Sequence, residues 1–254
     1  MNLDNIADFW SYRYTEALAG RLDVTEAVTF IPRDAKRNEI SKQVAGTLCS
    51  WVSTLGGFET DAVLVDLGCG AGRMLQYFCD AMNERVEGGG ASIIGVEPDA
   101  HARILARQCC PGASILRGTT YDFPPRSVNP THVFMSGVLL YHTDEEIRDF
   151  IGRLSMMDQG VIFILKEPVL PPGSVVPTYD EIDHRERSLG RIHYATYRTG
   201  KYLWDLLDSC MSRSVGTASN VFRELPEFSL NERCWTAKAF ILERNAPRGS
   251  SPAN

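Results

Sequence analysis

Residues 62–73, AVLVDLGCGAGR, carry the reading from which the rest of the chain follows. Ala62 to Leu67 is apolar except for Asp66, and glycines stand at 68, 70 and 72. A short, nearly continuous apolar run of this kind is how a central parallel strand, buried on both faces, reads. Glycines directly after such a strand, at the mouth of a helix, let a ligand come close to the backbone. The spacing is D-x-G-x-G-x-G with Arg73 behind it. A dinucleotide fingerprint wants its third glycine one place further on, so that pyrophosphate can rest on the helix N-terminus. Arg73 occupies that place and suits a carboxylate, so the spacing argues against a dehydrogenase.

Downstream, a helix is expected from Arg73 to about Asn83, and a polar, glycine-rich turn covers 87–90. SIIGVEP (92–98) reads as the second strand, about Ala100 to Gln108 as a helix, and ASILRG (113–118) as a short third strand. THVFMSG (131–137) is a fourth strand, DEEIRDFIGRLSMM (144–157) an amphipathic helix, and GVIFILKEP (160–168) a fifth strand. Alternation at these lengths implies right-handed crossovers. The expected fold is therefore α/β: a Rossmann-like, doubly wound, mainly parallel seven-stranded sheet with helices on both faces, spanning residues 58–245. A helix from about Thr199 to Met211, a β-rich segment at 214–222 and the strand TAKAFILER (236–244) complete it, with an antiparallel C-terminal hairpin. Residues 169–198 are proline-containing and then charged, too long for an ordinary connection, and read as an inserted lid.

Upstream, Ile6, Phe9, Trp10, Tyr14 and Leu18 recur at helical spacing, and a second periodic stretch runs from Ala35 to Leu55. Residues 1–57 are thus expected to form a helical cap, and residues 246–254 a disordered tail. The first residues carry charges and no long apolar run, so neither a secretory signal nor a membrane anchor is expected. Of the 254 residues, 44% are hydrophobic and 23% charged, enough apolar material for a full core. The net charge of -6 argues against a protein that grips nucleic acid by neutralising phosphates. The seven cysteines show no CxxC pair, and adjacent Cys109 and Cys110 are poorly placed to bridge each other or chelate a metal. They read as reduced thiols, with no metal site, in a monomer of the cytoplasm or nucleus.

VDLGCGAGR (65–73) resembles the first motif of the class I S-adenosylmethionine-dependent methyltransferases. The resemblance implies S-adenosylmethionine as cofactor, its methionyl end beside Asp66, Gly68, Gly70, Gly72 and Arg73. Glu97, at the end of the next strand, is expected to accept from the two ribose hydroxyls, since two acceptor oxygens match a vicinal diol. Asp122 in GTTYDFPP stands where this family often contacts the adenine amino group, with Tyr121 or Phe123 near the ring; its other reading is a turn cap. Ser136, ending the fourth strand, joins the cofactor set.

Within that class, SGVLLYHTDEEIRDFIGRLSMMDQGVIFILKEPV (136–169) resembles the protein N-terminal α-amine methyltransferases. There a histidine precedes a threonine-aspartate helix start, and a lysine-acid pair ends the next strand. The FW pair at 9–10, Arg73 and the C-terminal FRELPEFSLNERCWTAKAFILER agree with it. The departures are Tyr141 in the histidine's ungapped place, KEP where the family favours KDN, and, where the family has a short acidic-serine segment before an arginine, the longer YDEIDHRERSLGRIHYATYR with His193 near the expected acidic position. The resemblance makes the α-amine of a protein or peptide N-terminus the expected acceptor. The catalytic candidates are His142, Tyr141, Asp183 and His193; those for substrate are Trp10, Glu167 and Asp180. An imidazole titrates near physiological pH, so His142 can take a proton from an amine; it also reads as a cap-region residue before Thr143. His193 lies in a charged stretch and reads equally as a solvated residue, and Trp10 as core packing of the first helix. The competing functions are a small-molecule N- or O-methyltransferase and a non-catalytic partner protein of the same fold.

Overall fold

The computed structural model describes residues 3–24, 46–47, 50, 61–85, 92–123, 128–155, 162–170, 174, 178–183, 193–211, 220–224, 228–229 and 236–244. They form an α/β fold with mainly parallel strands, divided into two compact units: residues 1–125 with 180–195, and residues 126–179 with 196–254.

The first unit is organised by β1 (Val63–Leu67), whose Leu64, Val65 and Leu67 are buried as a two-faced strand requires. Parallel to it lies β2 (Ser92–Val96), with Val65 opposite Ile94, and parallel to β2 lies β3 (Ser114–Leu116). The glycine turn leads from β1 into α2 (Arg73–Arg85), and Pro98-Asp99 leads from β2 into α3 (Ala100–Cys109). Asp99 caps α3 by accepting from the amides of His101 and Ala102, filling donors that the first turn leaves unpaired. Helix α1 (Leu3–Leu18) packs on α3, burying Tyr14 and Ala17 against Ala102 and Leu105.

In the second unit, β4 (His132–Ser136) and β5 (Ile162–Leu170) pair in parallel, with Phe134 opposite Ile164. Between them in sequence, α4 (Asp144–Ser155) buries Ile147, Phe150, Ile151 and Leu154. That i, i+3, i+4, i+7 stripe stabilises the unit by roughly 1.5–3 kcal/mol per side chain. A capping box starts the helix: the Thr143 amide donates to Glu146, whose own amide donates to the Thr143 hydroxyl. Segment β7 (His193–Thr199) pairs with β6 (Thr178–Asp183) and, at its far end, in parallel with β5, Arg198 opposite Val169. Helix α5 (Gly200–Met211) follows directly. Strand β10 (Thr236–Arg244) runs antiparallel to β5, and β8 (Asn220–Glu224) and β9 (Phe228–Ser229) each pair antiparallel with β10.

Several expectations need amending. Strand β5 does not stop at Pro168 but runs to Leu170, with Pro168 opposite Ala237. Residues 169–198 include the end of β5, all of β6 and most of β7, and the strand count among the described residues reaches ten, not seven. Cys79 and Cys110 form a disulfide, which overturns the reading of all cysteines as reduced thiols. They stand 31 positions apart, so no local spacing reveals them; α2 and the end of α3 bring them into one apolar cluster with Cys69, Leu75 and Ile115. Among the described residues, Cys69, Cys109 and Cys210 remain thiols, no group of three or more His, Cys, Asp or Glu side chains makes a metal site, and no helix is long and apolar enough to cross a membrane. Most of the expected helix at 35–55 and the tail 246–254 lie outside the described residues.

Candidate functional site

The first unit builds a cradle at the C-terminal ends of its strands. Gly68, Gly70 and Gly72 all take positive φ, at 73°, 54° and 82°, a region that side-chain-bearing residues rarely enter. Each glycine after the first also meets a wall. A Cβ on Gly72 would lie 2.9 Å from the Ala106 backbone of α3, and one on Gly70 would lie 3.0 Å from the Tyr14 hydroxyl of α1. The turn is therefore threaded between two helices, with Arg73 opening the third. The Gly68 and Cys69 amides donate to the Val96 carbonyl, tying the turn to the end of β2.

Two acids sit behind it. Glu97, 7% exposed, accepts from the Gly70 amide through Oε2 and from the Asp99 amide through Oε1, both at 3.0 Å. Each carboxylate oxygen retains a further lone pair for a ligand hydroxyl. Burial raises its pKa to about 7, against the pull of the Asp99 and Gly70 amides. Asp66 is 2% exposed, and its Oδ2 is buried without a hydrogen-bond partner. Burial first, and the neighbouring Glu97 second, push its pKa up to about 8. An orphaned acid oxygen at the heart of a glycine turn is costly unless something binds there.

At the edge of this unit, Asp122 closes a capping box on a single 3-10 turn (residues 120–122), its Oδ2 accepting from the Thr119 amide and hydroxyl. The cap reading of Asp122 is thus realised, on an exposed residue beside half-exposed Tyr121. Trp10 is half-buried and stacks on Tyr14 at 5.9 Å between centroids, with Phe9 edge-on to it. The sequence offered Trp10 either as a substrate contact or as core packing of the first helix. That Tyr14 is the one against Gly70 follows only from the packing of α1.

The second unit carries His142, Tyr141, Glu167 and Ser136. A 3-10 turn over Leu139–Tyr141 ends at His142, which is 9% exposed. Its Nδ1 lies 3.0 Å from the Val138 carbonyl, which can only accept, so Nδ1 carries the proton and the neutral ring's lone pair is on Nε2. Burial lowers the imidazole's pKa, with the Val138 hydrogen bond and Glu146 opposing it. At neutral pH the ring is a base. Glu167, 2% exposed, does not point at solvent: Oε1 accepts from the Val138 and Leu139 amides at 2.9 and 3.1 Å. Its Oε2 is buried without a partner, and burial lifts the pKa to about 7. Ser136 ends β4 and accepts from Lys166 at 3.4 Å. Asp180 and Asp183 on β6, and His193 at the start of β7, belong to the first unit.

Sequence reasoning did not single out Arg198. It is 4% exposed and donates to Asp144 through Nε at 2.9 Å, to the His142 carbonyl through Nη2 at 2.7 Å and to the Leu139 carbonyl through Nη1 at 3.2 Å. Tyr202 donates to the other Asp144 oxygen. These two hydrogen bonds hold the Asp144 pKa down although burial alone would raise it. The available signal was an arginine inside an otherwise uncharged β segment, HYATYRT.

The chain superposes on solved methyltransferases over most of its length. Magnesium protoporphyrin IX methyltransferase (ChlM) from Synechocystis PCC 6803, solved with S-adenosylmethionine bound, matches with a TM-score of 0.58 over 93% of this chain and 97% of its own, at 13% identity. The methyltransferase domain of bacterial CtHen1 gives 0.57, 14% identity, and 82% and 100% coverage. An S-adenosylmethionine-dependent methyltransferase from Leishmania major gives 0.56, 12% identity, and 93% and 81% coverage. This is the Rossmann-like methyltransferase fold. At these identities the likeness is one of fold alone. No protein-family model matches the sequence, and no curated protein does either.

Proposed function

We propose that the protein is an S-adenosylmethionine-dependent methyltransferase whose acceptor is the α-amine of a protein or peptide N-terminus. The observation that carries the cofactor is the pair of buried acids at the glycine turn, one with an orphaned oxygen. Burial disfavours the charged form of both acids, and a cation bound at the turn would restore it. S-adenosylmethionine, with a sulfonium and an ammonium against one carboxylate, is a net cation, and its ammonium supplies the donor that Asp66 lacks. Glu97 is placed to take the ribose diol, and Arg73, at the head of α2, suits the carboxylate.

When bound, S-adenosylmethionine supplies an electrophilic methyl on sulfur. The chain's part is to hold cofactor and amine in line and to remove the proton that the amine must lose. His142 fits the second task, because its neutral Nε2 is an acceptor and its lowered pKa keeps it so. The acidic chain suits a cationic acceptor. A small-molecule acceptor is the second reading. It is favoured by Glu167, which is engaged in holding the 138–139 amides at the position where the peptide-methylating family is expected to contact substrate.

Isothermal titration with S-adenosylmethionine, followed by methyl transfer to short peptides with unblocked N-termini and to a parallel set of amines and phenols, separates these readings. Binding with label on peptides alone is the expected result; label on small molecules alone selects the second reading, and no binding removes both. Asp66→Ala is expected to cost about 2–5 kcal/mol of cofactor binding, as truncating one partner of a buried charged contact does. The unliganded fold should survive that change, since it removes an unpaired buried acid.

A further inference from the structure

We propose that Arg198 is the positioning residue of the turn that presents His142, acting through backbone carbonyls and touching neither substrate nor cofactor. This inference rests on the reading of His142 as the proton acceptor. The hydrogen bonds of residues 138–142 show how the turn is held. Its leading amides, Val138 and Leu139, donate to the Glu167 carboxylate on β5. The Tyr141 amide donates to the Val138 carbonyl and the His142 amide to that of Leu139, closing the turn on itself. Two carbonyls, of Leu139 and His142, face the Arg198 guanidinium on β7. The turn is thus gripped at its amides by a buried carboxyl group and at its carbonyls by a guanidinium.

The grip is set in direction as well as in charge. Arg198 is located by its register opposite Val169 on β5, two residues beyond Glu167, so both clamping side chains hang from one pair of adjacent strands. Its Nε is committed to Asp144, the first residue of α4, and Tyr202 on α5 fixes Asp144 in turn. A guanidinium meets these partners in one rigid plane, which a lysine's single ammonium cannot do. The His142 carbonyl that Arg198 holds belongs to the residue whose Nδ1 must reach Val138 for Nε2 to be the basic nitrogen. Loosening the carbonyl grip therefore moves the ring and mixes its tautomers.

The test compares wild type with Arg198→Lys and, should that variant fold poorly, with Asp144→Asn, which keeps the guanidinium and removes its orienting charge. Nitrogen-15 NMR of histidine-labelled protein reads the His142 tautomer without any turnover. Expected are a single Nδ1–H form in wild type and a mixture in the variants. Turnover should fall about 100-fold, the scale of a misplaced catalytic group, with KM and S-adenosylmethionine affinity unchanged. A folded Arg198→Lys protein, or a folded Asp144→Asn protein, whose His142 keeps the wild-type tautomer and whose kcat is unchanged overturns the inference. So does a loss of cofactor affinity and KM in step with kcat, which marks a general structural role. A wild type that binds no S-adenosylmethionine refutes the functional reading instead, while the tautomer comparison still decides the part played by Arg198.

Discussion

Single residues at the cradle have little room to vary. Gly72 holds φ at 82°, and a Cβ there would press on the Ala106 backbone at 2.9 Å, an atom that cannot swing aside. Gly72→Ala should therefore cost about 1–3 kcal/mol through overpacking, lowering the midpoint of thermal or urea unfolding; an unchanged midpoint would mean that α3 yields freely. His142 makes a second residue-scale prediction. Only its neutral form accepts a proton, and burial lowers its pKa below 6.5, so the neutral form persists as pH falls past that value. The acid limb of kcat should accordingly have its midpoint below pH 6.5, and His142→Ala should abolish the limb. A midpoint above 6.5 would exclude His142 as the titrating base. At this scale the glycines, Asp66 and Glu97 were legible because each is needed at a fixed offset from a strand end. Arg198 and Tyr14 were not, since their partners are 56 and 56 positions away, at His142 and Gly70.

Elements were read well where an apolar period set them. Helix α3 begins at Ala100 and β10 spans Thr236–Arg244 as the pattern requires. The reading missed where pairing, not period, makes the element. Residues 178–183 and 193–199 carry charged and β-prone residues without a clear alternation, and they are strands because each finds a partner. The disulfide belongs to this scale too, since it ties α2 to the C-cap of α3. In the chain-entropy model a loop of 31 residues is worth about 3.7 kcal/mol. Dithiothreitol should therefore lower the melting temperature of wild type and leave Cys79→Ser, already lower, where it is. Identical melting curves with and without reductant would deny the bridge any part in stability.

For the whole molecule, the prediction concerns coupling of ligand to fold. Because the cradle buries two acids unfavourably, a cationic ligand that binds only the folded chain stabilises it by mass action. S-adenosylmethionine at one hundred times its Kd should add about 2.7 kcal/mol, and this gain should vanish in Asp66→Ala. A melting temperature indifferent to the ligand would contradict the cradle. The order of strands and helices, the glycine turn and the acid after β2 were determined by the sequence alone, because period, run length and glycine spacing are local properties that neighbouring residues express together. The Cys79–Cys110 bridge, the turn of Glu167 inward onto the 138–139 amides, and the clamp of Arg198 on His142 were decided only in the tertiary structure. Each depends on bringing together groups far apart in the chain, and which groups meet is settled by how helices and strands pack, not by the residues that flank them.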